Sequence, residues 1–153
     1  MNLLPLAIGF VAGLRSMTAP AAVSWAACLG WIDLHGSSLQ WMGSRIAVAV
    51  FSLAALAELV GDKLPKTPSR TAPGPLIGRI VLGGLSGAGL VIAAGGSWLT
   101  GALLGGIGAV IGAFAGYEIR RRLVRALGVK DTVVALGEDL VAIGLAYLVA
   151  RGG

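Results

Sequence analysis

Charge is what this chain has least of. Asp, Glu, Lys and Arg make up 12% of its 153 residues, roughly half the share of a typical soluble domain. So little charge cannot furnish a water-facing surface. With 56% apolar residues and a mean hydropathy of +0.87, most of the surface must face lipid. Cysteine is nearly absent too. Cys28 stands alone in an apolar run, which excludes a disulfide or metal–thiolate framework. The one histidine, His35, lies in a Gly/Ser-rich connection and reads as a solvated loop residue. No cofactor is expected, and no metal is assigned. A His/Glu metal motif, a Gly-x-Ser-x-Gly elbow and a Cys/His pair are all missing, so the chain is not read as an enzyme. Lipid-phosphate chemistry by Asp62, Arg70 and Asp139 stays open beside that reading.

The net charge of +5 does not point to nucleic acid. The basic residues sit between apolar runs, not along a helix face interleaved with stacking aromatics. No positive charge precedes the apolar stretch Leu3 to Leu14, so the N-terminus is expected to be retained, unlike a secretory signal.

What is present is a series of apolar stretches, bounded by charge, Pro or Gly, over residues 3–14, 17–32, 41–60, 76–96, 98–119 and 132–150. About 20 helical residues cross a hydrocarbon core, a length the last four runs meet. The first two are too short to do so separately. Between them Arg15-Ser16-Met17-Thr18-Ala19-Pro20 interrupts the apolar run, and Pro20 removes a backbone donor and disfavours helix at Ala19. This is either a tight pair of short helices with a surface turn or one broken helix whose gap lies within the protein. The expected fold is a single all-α domain over residues 1–153, a polytopic membrane bundle of about six short helices.

Charge placement predicts the orientation. In an alternating six-pass arrangement Arg15, Lys63, Lys66, Arg70, Arg79, Arg120, Arg121, Arg122, Arg125 and Lys130 share one side, against Arg45 and Arg151 on the other. The positive-inside rule makes the crowded side cytoplasmic, which predicts a multipass protein of the inner membrane. Trp31, Trp41 and Trp98 fall at the opposite interface, where indole prefers to sit.

The 25 glycines are patterned. Gly101, Gly105, Gly108, Gly112 and Gly116 repeat at spacings of three and four along the fifth run, Gly9 and Gly13 along the first, and Gly83 and Gly87 along the fourth. Small residues one turn apart let another helix backbone approach closely. Such faces serve packing within a small bundle, or the seam of a homodimer. Loose internal matches, such as Pro5 to Trp25 with Pro75 to Trp98, leave a pair of inverted repeats as a further reading.

Ionisable groups inside a membrane are costly and need a reason. Glu138 and Asp139 lie about 10 Å along the sixth run and, being adjacent, point about 100° apart. One can face a cavity while the other pairs with an Arg. Glu58 and Asp62 are four apart and share a face if the helix continues. With added carbonyls or water, two such carboxylates hold a hard cation. Lys63, Ser69, Arg70 and Thr71 suit an anionic headgroup or phosphate.

Gly13-Leu14-Arg15-Ser16-Met17-Thr18-Ala19-Pro20, the segment Glu58 to Thr71, and the pair Glu138-Asp139 together resemble the bacterial domain-of-unknown-function family 4126 across essentially the whole chain. That resemblance implies a small multipass membrane protein. Glu58-Leu59-Val60-Gly61-Asp62-Lys63 is also similar to the Glu-x-Gly-Asp-Lys/Arg signature of cation/proton exchangers, whose acidic pair is taken to hold the metal. Here one extra residue rotates Glu58 relative to Asp62, and no hydroxyl follows Lys63.

These residues predict a transporter or channel for a small ion or solute. Glu138, Asp139, Glu58, Asp62 and Arg15 would be its ion-binding groups, and Ser16, Thr18 and Pro20 its gate or binding loop. The alternative is a non-transporting scaffold or lipid-binding subunit. Either sits in the lipid bilayer, with a homodimer through the glycine faces as the expected assembly.

Overall fold

A computed structural model describes residues 3–61 and 72–152, which contain six α-helices and no strand. They are α1 (Leu4–Leu14), α2 (Thr18–Cys28), α3 (Arg45–Gly61), α4 (Pro73–Ala93), α5 (Trp98–Leu127) and α6 (Asp131–Gly152). Three of them, α4, α5 and α6, are long and apolar enough to cross a membrane. Large apolar side chains such as Ile46, Leu53 and Leu140 point outward, two-thirds or more exposed. With so apolar an exterior, the chain is an integral membrane protein.

Three departures from the expected runs have a visible local cause. The third helix starts at Arg45 instead of Trp41, because Gln40–Gly43 forms a 3-10 turn and the Ser44 hydroxyl accepts the Ala47 amide at 3.1 Å. That leaves 17 described residues, Arg45–Gly61, in α3. The fifth helix runs on to Leu127, eight residues past the expected end, and stops where Gly128 takes φ +64°. Arginine is a good helix former, so the cluster Arg120 to Arg125 continues the helix rather than breaking it. Finally, Pro20 does not break a helix. It sits in the first turn of α2, where its missing donor would have had no partner.

The centre of the bundle is a glycine-packed triad. Gly83 and Gly87 of α4 lie against Gly105 and Gly101 of α5, an antiparallel crossing in which a Cβ on Gly83 would come 2.7 Å from the Gly105 carbonyl. On the same helix Gly9 and Gly13 of α1 meet Gly105 and Ala109, a parallel crossing, while Gly108 and Gly112 take the Leu6 and Phe10 carbonyls. The faces that also suited a homodimer seam are therefore occupied within the chain. Dispersion between closely opposed backbones replaces the hydrophobic drive that lipid cannot supply.

Around this triad α2 packs on α3, α4 and α6, and α6 rests on α1 and α2. The buried side of α6 is Ala135, Asp139, Ala142, Ala146, Val149 and Ala150, the spacing of one helical face. Gly152 touches Leu4 at one end while Asp139 reaches Arg15 at the other, so α6 runs antiparallel to α1. Trp31 packs edge-on to Tyr147 at 5.7 Å between ring centres, and the Arg151 guanidinium lies 5.0 Å from the Trp31 ring.

Candidate functional site

The polar residues gather where α1 gives way to α2. Arg79 of α4 lies beside the end of α1, whereas Val23 of α2 touches Gly89, ten residues and about 15 Å further along α4. The chain thus runs along α4 and turns back. Of the two readings of the interruption, the pair of short helices is the geometry present, but its turn is not at the surface. Arg15 is fully buried, and Thr18, Ala19 and Pro20 are buried beside it.

Arg15 leaves the helix with φ −143° and ψ 105°, its amide still bonded to the Val11 carbonyl at 2.7 Å. Its side chain reaches α6, where Nε donates to Asp139 Oδ1 at 2.5 Å and Nη2 pairs with the same oxygen. The next residue, Ser16, donates its hydroxyl to Glu58 of α3. From the other side Arg79 Nη1 donates to the Gly13 carbonyl at 3.0 Å and the Ala12 carbonyl at 3.4 Å. These carbonyls end α1 and have no partner within the helix, and a cation there also meets the negative end of the helix dipole. The three-residue turn is thereby tied to α3 and α6, and the end of α1 just before it to α4.

Depth sets the energetic scale. Arg79 lies six residues into α4 and Asp139 eight into α6, about 9 and 12 Å from the helix starts. Burying an ion there is repaid only by close pairing, and removing one partner of a buried pair costs about 3–5 kcal/mol.

Of the residues singled out from sequence, Arg15, Ser16, Glu58 and Asp139 come together here, with Thr18 and Pro20 in the adjoining first turn of α2. Glu138 does not join the face of Asp139; it is only half-buried, on the neighbouring side of α6. Asp62, Lys63, Ser69, Arg70 and Thr71 lie outside the described residues, and with them the pairing of Glu58 with Asp62. Arg79 was missed, having been counted only as a topological charge. Its position inside the apolar segment Pro73 to Ala93 carried the same signal of an ionisable residue at membrane depth as Asp139. Among the described residues no group of three or more His, Cys, Asp or Glu could hold a metal ion.

The chain belongs to the family described as a domain of unknown function (DUF4126), whose model matches residues 3–151. No curated protein and no solved structure matches it.

Proposed function

We propose that this protein is a multipass transporter or channel of the inner membrane that moves a small ion or solute past the turn between α1 and α2. The observation that carries the reading is the buried Arg15–Asp139 pair at that turn. A tight helical turn needs no ion pair, and burying one in a membrane is expensive. A reversible partner exchange gives the expense a use. In the closed arrangement Arg15 occupies Asp139 while Ser16 occupies Glu58. A proton or small cation arriving at Asp139 competes with the guanidinium, frees the turn from α6, and leaves when the pair re-forms.

Orientation follows from the charges. Arg15 and Arg79 lie at the turn end of the bundle, and the Arg120 to Arg125 stretch continues α5 beyond it. The positive-inside rule places this end in the cytoplasmic half. The reading includes a homo-oligomer, whose seam would use glycines with nothing against them, such as Gly137 and Gly144 of α6.

The test is proton and divalent-cation flux into liposomes holding the purified protein. Wild-type flux, lost in Asp139→Asn and kept in Glu138→Gln, is the expected result. If the folded and inserted wild-type protein passes none of these ions, the scaffold or lipid-binding reading replaces this one.

A further inference from the structure

The far end of α5 is longer than the bundle needs. Gly13, at the end of α1, lies against Ala109, Gly112 and Ala113, and α5 continues to Leu127, 14 residues or about 21 Å beyond that level. The whole helix of 30 residues is about 45 Å long against a hydrocarbon core of ~30 Å. Its last three turns leave the packed interior, and past Gly116 none of its residues is buried.

That overhang has two faces. Ile119, Leu123 and Leu127 recur every four residues along one side and are 55%, 41% and 65% exposed. Arg121, Arg122 and Arg125 occupy the other side, all exposed, with Glu118 accepting from Arg121 at 2.7 Å and from Arg122 at 3.0 Å. From Glu118 to Lys130 five basic residues (Arg120, Arg121, Arg122, Arg125 and Lys130) stand against one acid. A helix standing straight out of the membrane would carry Leu123 and Leu127 into water. A tilt of α5 would instead keep them at the acyl boundary, with the arginines among the headgroups.

We infer that residues 118–127 form a binding segment for anionic phospholipid at the membrane surface, with Arg121, Arg122 and Arg125 on headgroup phosphates and Ile119, Leu123 and Leu127 at the acyl boundary. Charge complementarity selects this occupant. The segment is strongly basic, and the leaflet that the positive-inside rule assigns to it is negatively charged. Guanidinium groups match phosphate oxygens in bidentate geometry. The inference rests on the orientation proposed above but not on transport.

The experiment places an environment-sensitive bimane probe on Leu127→Cys in a Cys28→Ser background. The labelled protein is reconstituted into vesicles of phosphatidylcholine alone or of phosphatidylcholine with phosphatidylglycerol. The expected result is a blue-shifted emission and protection from aqueous iodide only when phosphatidylglycerol is present, both reversed by high salt. Each arginine replaced by glutamine should weaken the preference for phosphatidylglycerol about fivefold, so Arg121→Gln/Arg122→Gln/Arg125→Gln should lose it. These positions lie outside the packed bundle, and gel filtration confirms that the variant is folded. A probe equally exposed to water in both vesicles, as expected if a protein partner covers this segment instead, overturns the inference. So does a triple variant that keeps the full response.

Discussion

Adjacent glycines on α5 face opposite fates when each gains one methyl group. A Cβ on Gly105 would overlap the Gly83 carbonyl oxygen, with the Gly83 carbonyl carbon at 2.8 Å and Gly84 Cα at 3.2 Å. Every one of those atoms is backbone, so no side chain can swing aside and α4 itself must retreat. Overpacking of this kind costs about 1–3 kcal/mol, and the upper half of that range applies where only backbone can yield. Alanine returns at most ~1 kcal/mol through its better helix propensity, which leaves Gly105→Ala about 1–2 kcal/mol less stable. A Cβ on Gly106 meets nothing nearer than Ile80 Cγ2 at 3.5 Å, an ordinary contact. Gly106→Ala should therefore be neutral or gain up to ~1 kcal/mol from the same propensity term. Denaturant titration of both variants in one detergent, followed by circular dichroism, measures the difference. Equal stabilities for the pair would refute the reasoning, because chemistry, helix and membrane depth are shared and only the facing backbone differs.

Arg15→Gln and Asp139→Asn should each destabilise the folded protein by about 3–5 kcal/mol, and the double variant by much less than their sum. The same unfolding titration reads the coupling, and additive losses would show that the two groups do not act as a pair. Arg79→Met keeps an unbranched apolar stem while removing the donors to the Gly13 and Ala12 carbonyls, so it should cost about 1–3 kcal/mol and speed amide exchange in the last turn of α1. Gly128→Ala forces an L side chain into φ +64° and should cost about 1 kcal/mol, seen as a lower melting temperature. Trp31→Leu removes both the edge contact to Tyr147 and the ring beneath Arg151. It should raise proteolytic cleavage near the C-terminus of α6 while leaving the Arg15–Asp139 coupling unchanged.

Periodicity carried the architecture well because lipid removes most competing solutions: an apolar run must become a helix. The six elements, the interruption after Leu14 and the internal use of Gly9, Gly13, Gly83, Gly87, Gly101 and Gly105 can all be traced to spacing. Bounds set by local polarity were less legible. The arginines after Glu118 look like a loop in a hydropathy profile, yet a helix whose last turns leave the packed interior tolerates them, and Gly128 enforces the stop. Trp41 looks like the first residue of a span, but the chain is still in a 3-10 turn there. The site was half visible. Arg15, Glu58 and Asp139 each stand out against apolar surroundings, but Arg15 and Asp139 are 124 positions apart, and nothing local announces that they meet. Arg79 was hidden by a rule that counts charges on one side of a membrane without asking which ones lie within it.

The way α6 is attached has a mechanical consequence. Its inner face is a stripe of alanines, smooth enough to slide or tilt against its neighbours without unlocking large side chains. Polar and aromatic contacts bracket that stripe: Asp139 on Arg15 toward one end, and Tyr147 and Arg151 around Trp31 toward the other. α5, which binds α1 and α4 backbone to backbone, touches α6 only lightly. The glycine-packed α1, α4 and α5 therefore form a stiff post, and α6 lies against α1 and α2 through smoother contacts. In the proposed exchange, loss of the Arg15–Asp139 pair would leave the Trp31 contacts in place. Any tilt of α6 about those contacts would move its Asp139 end most and its Trp31 end least.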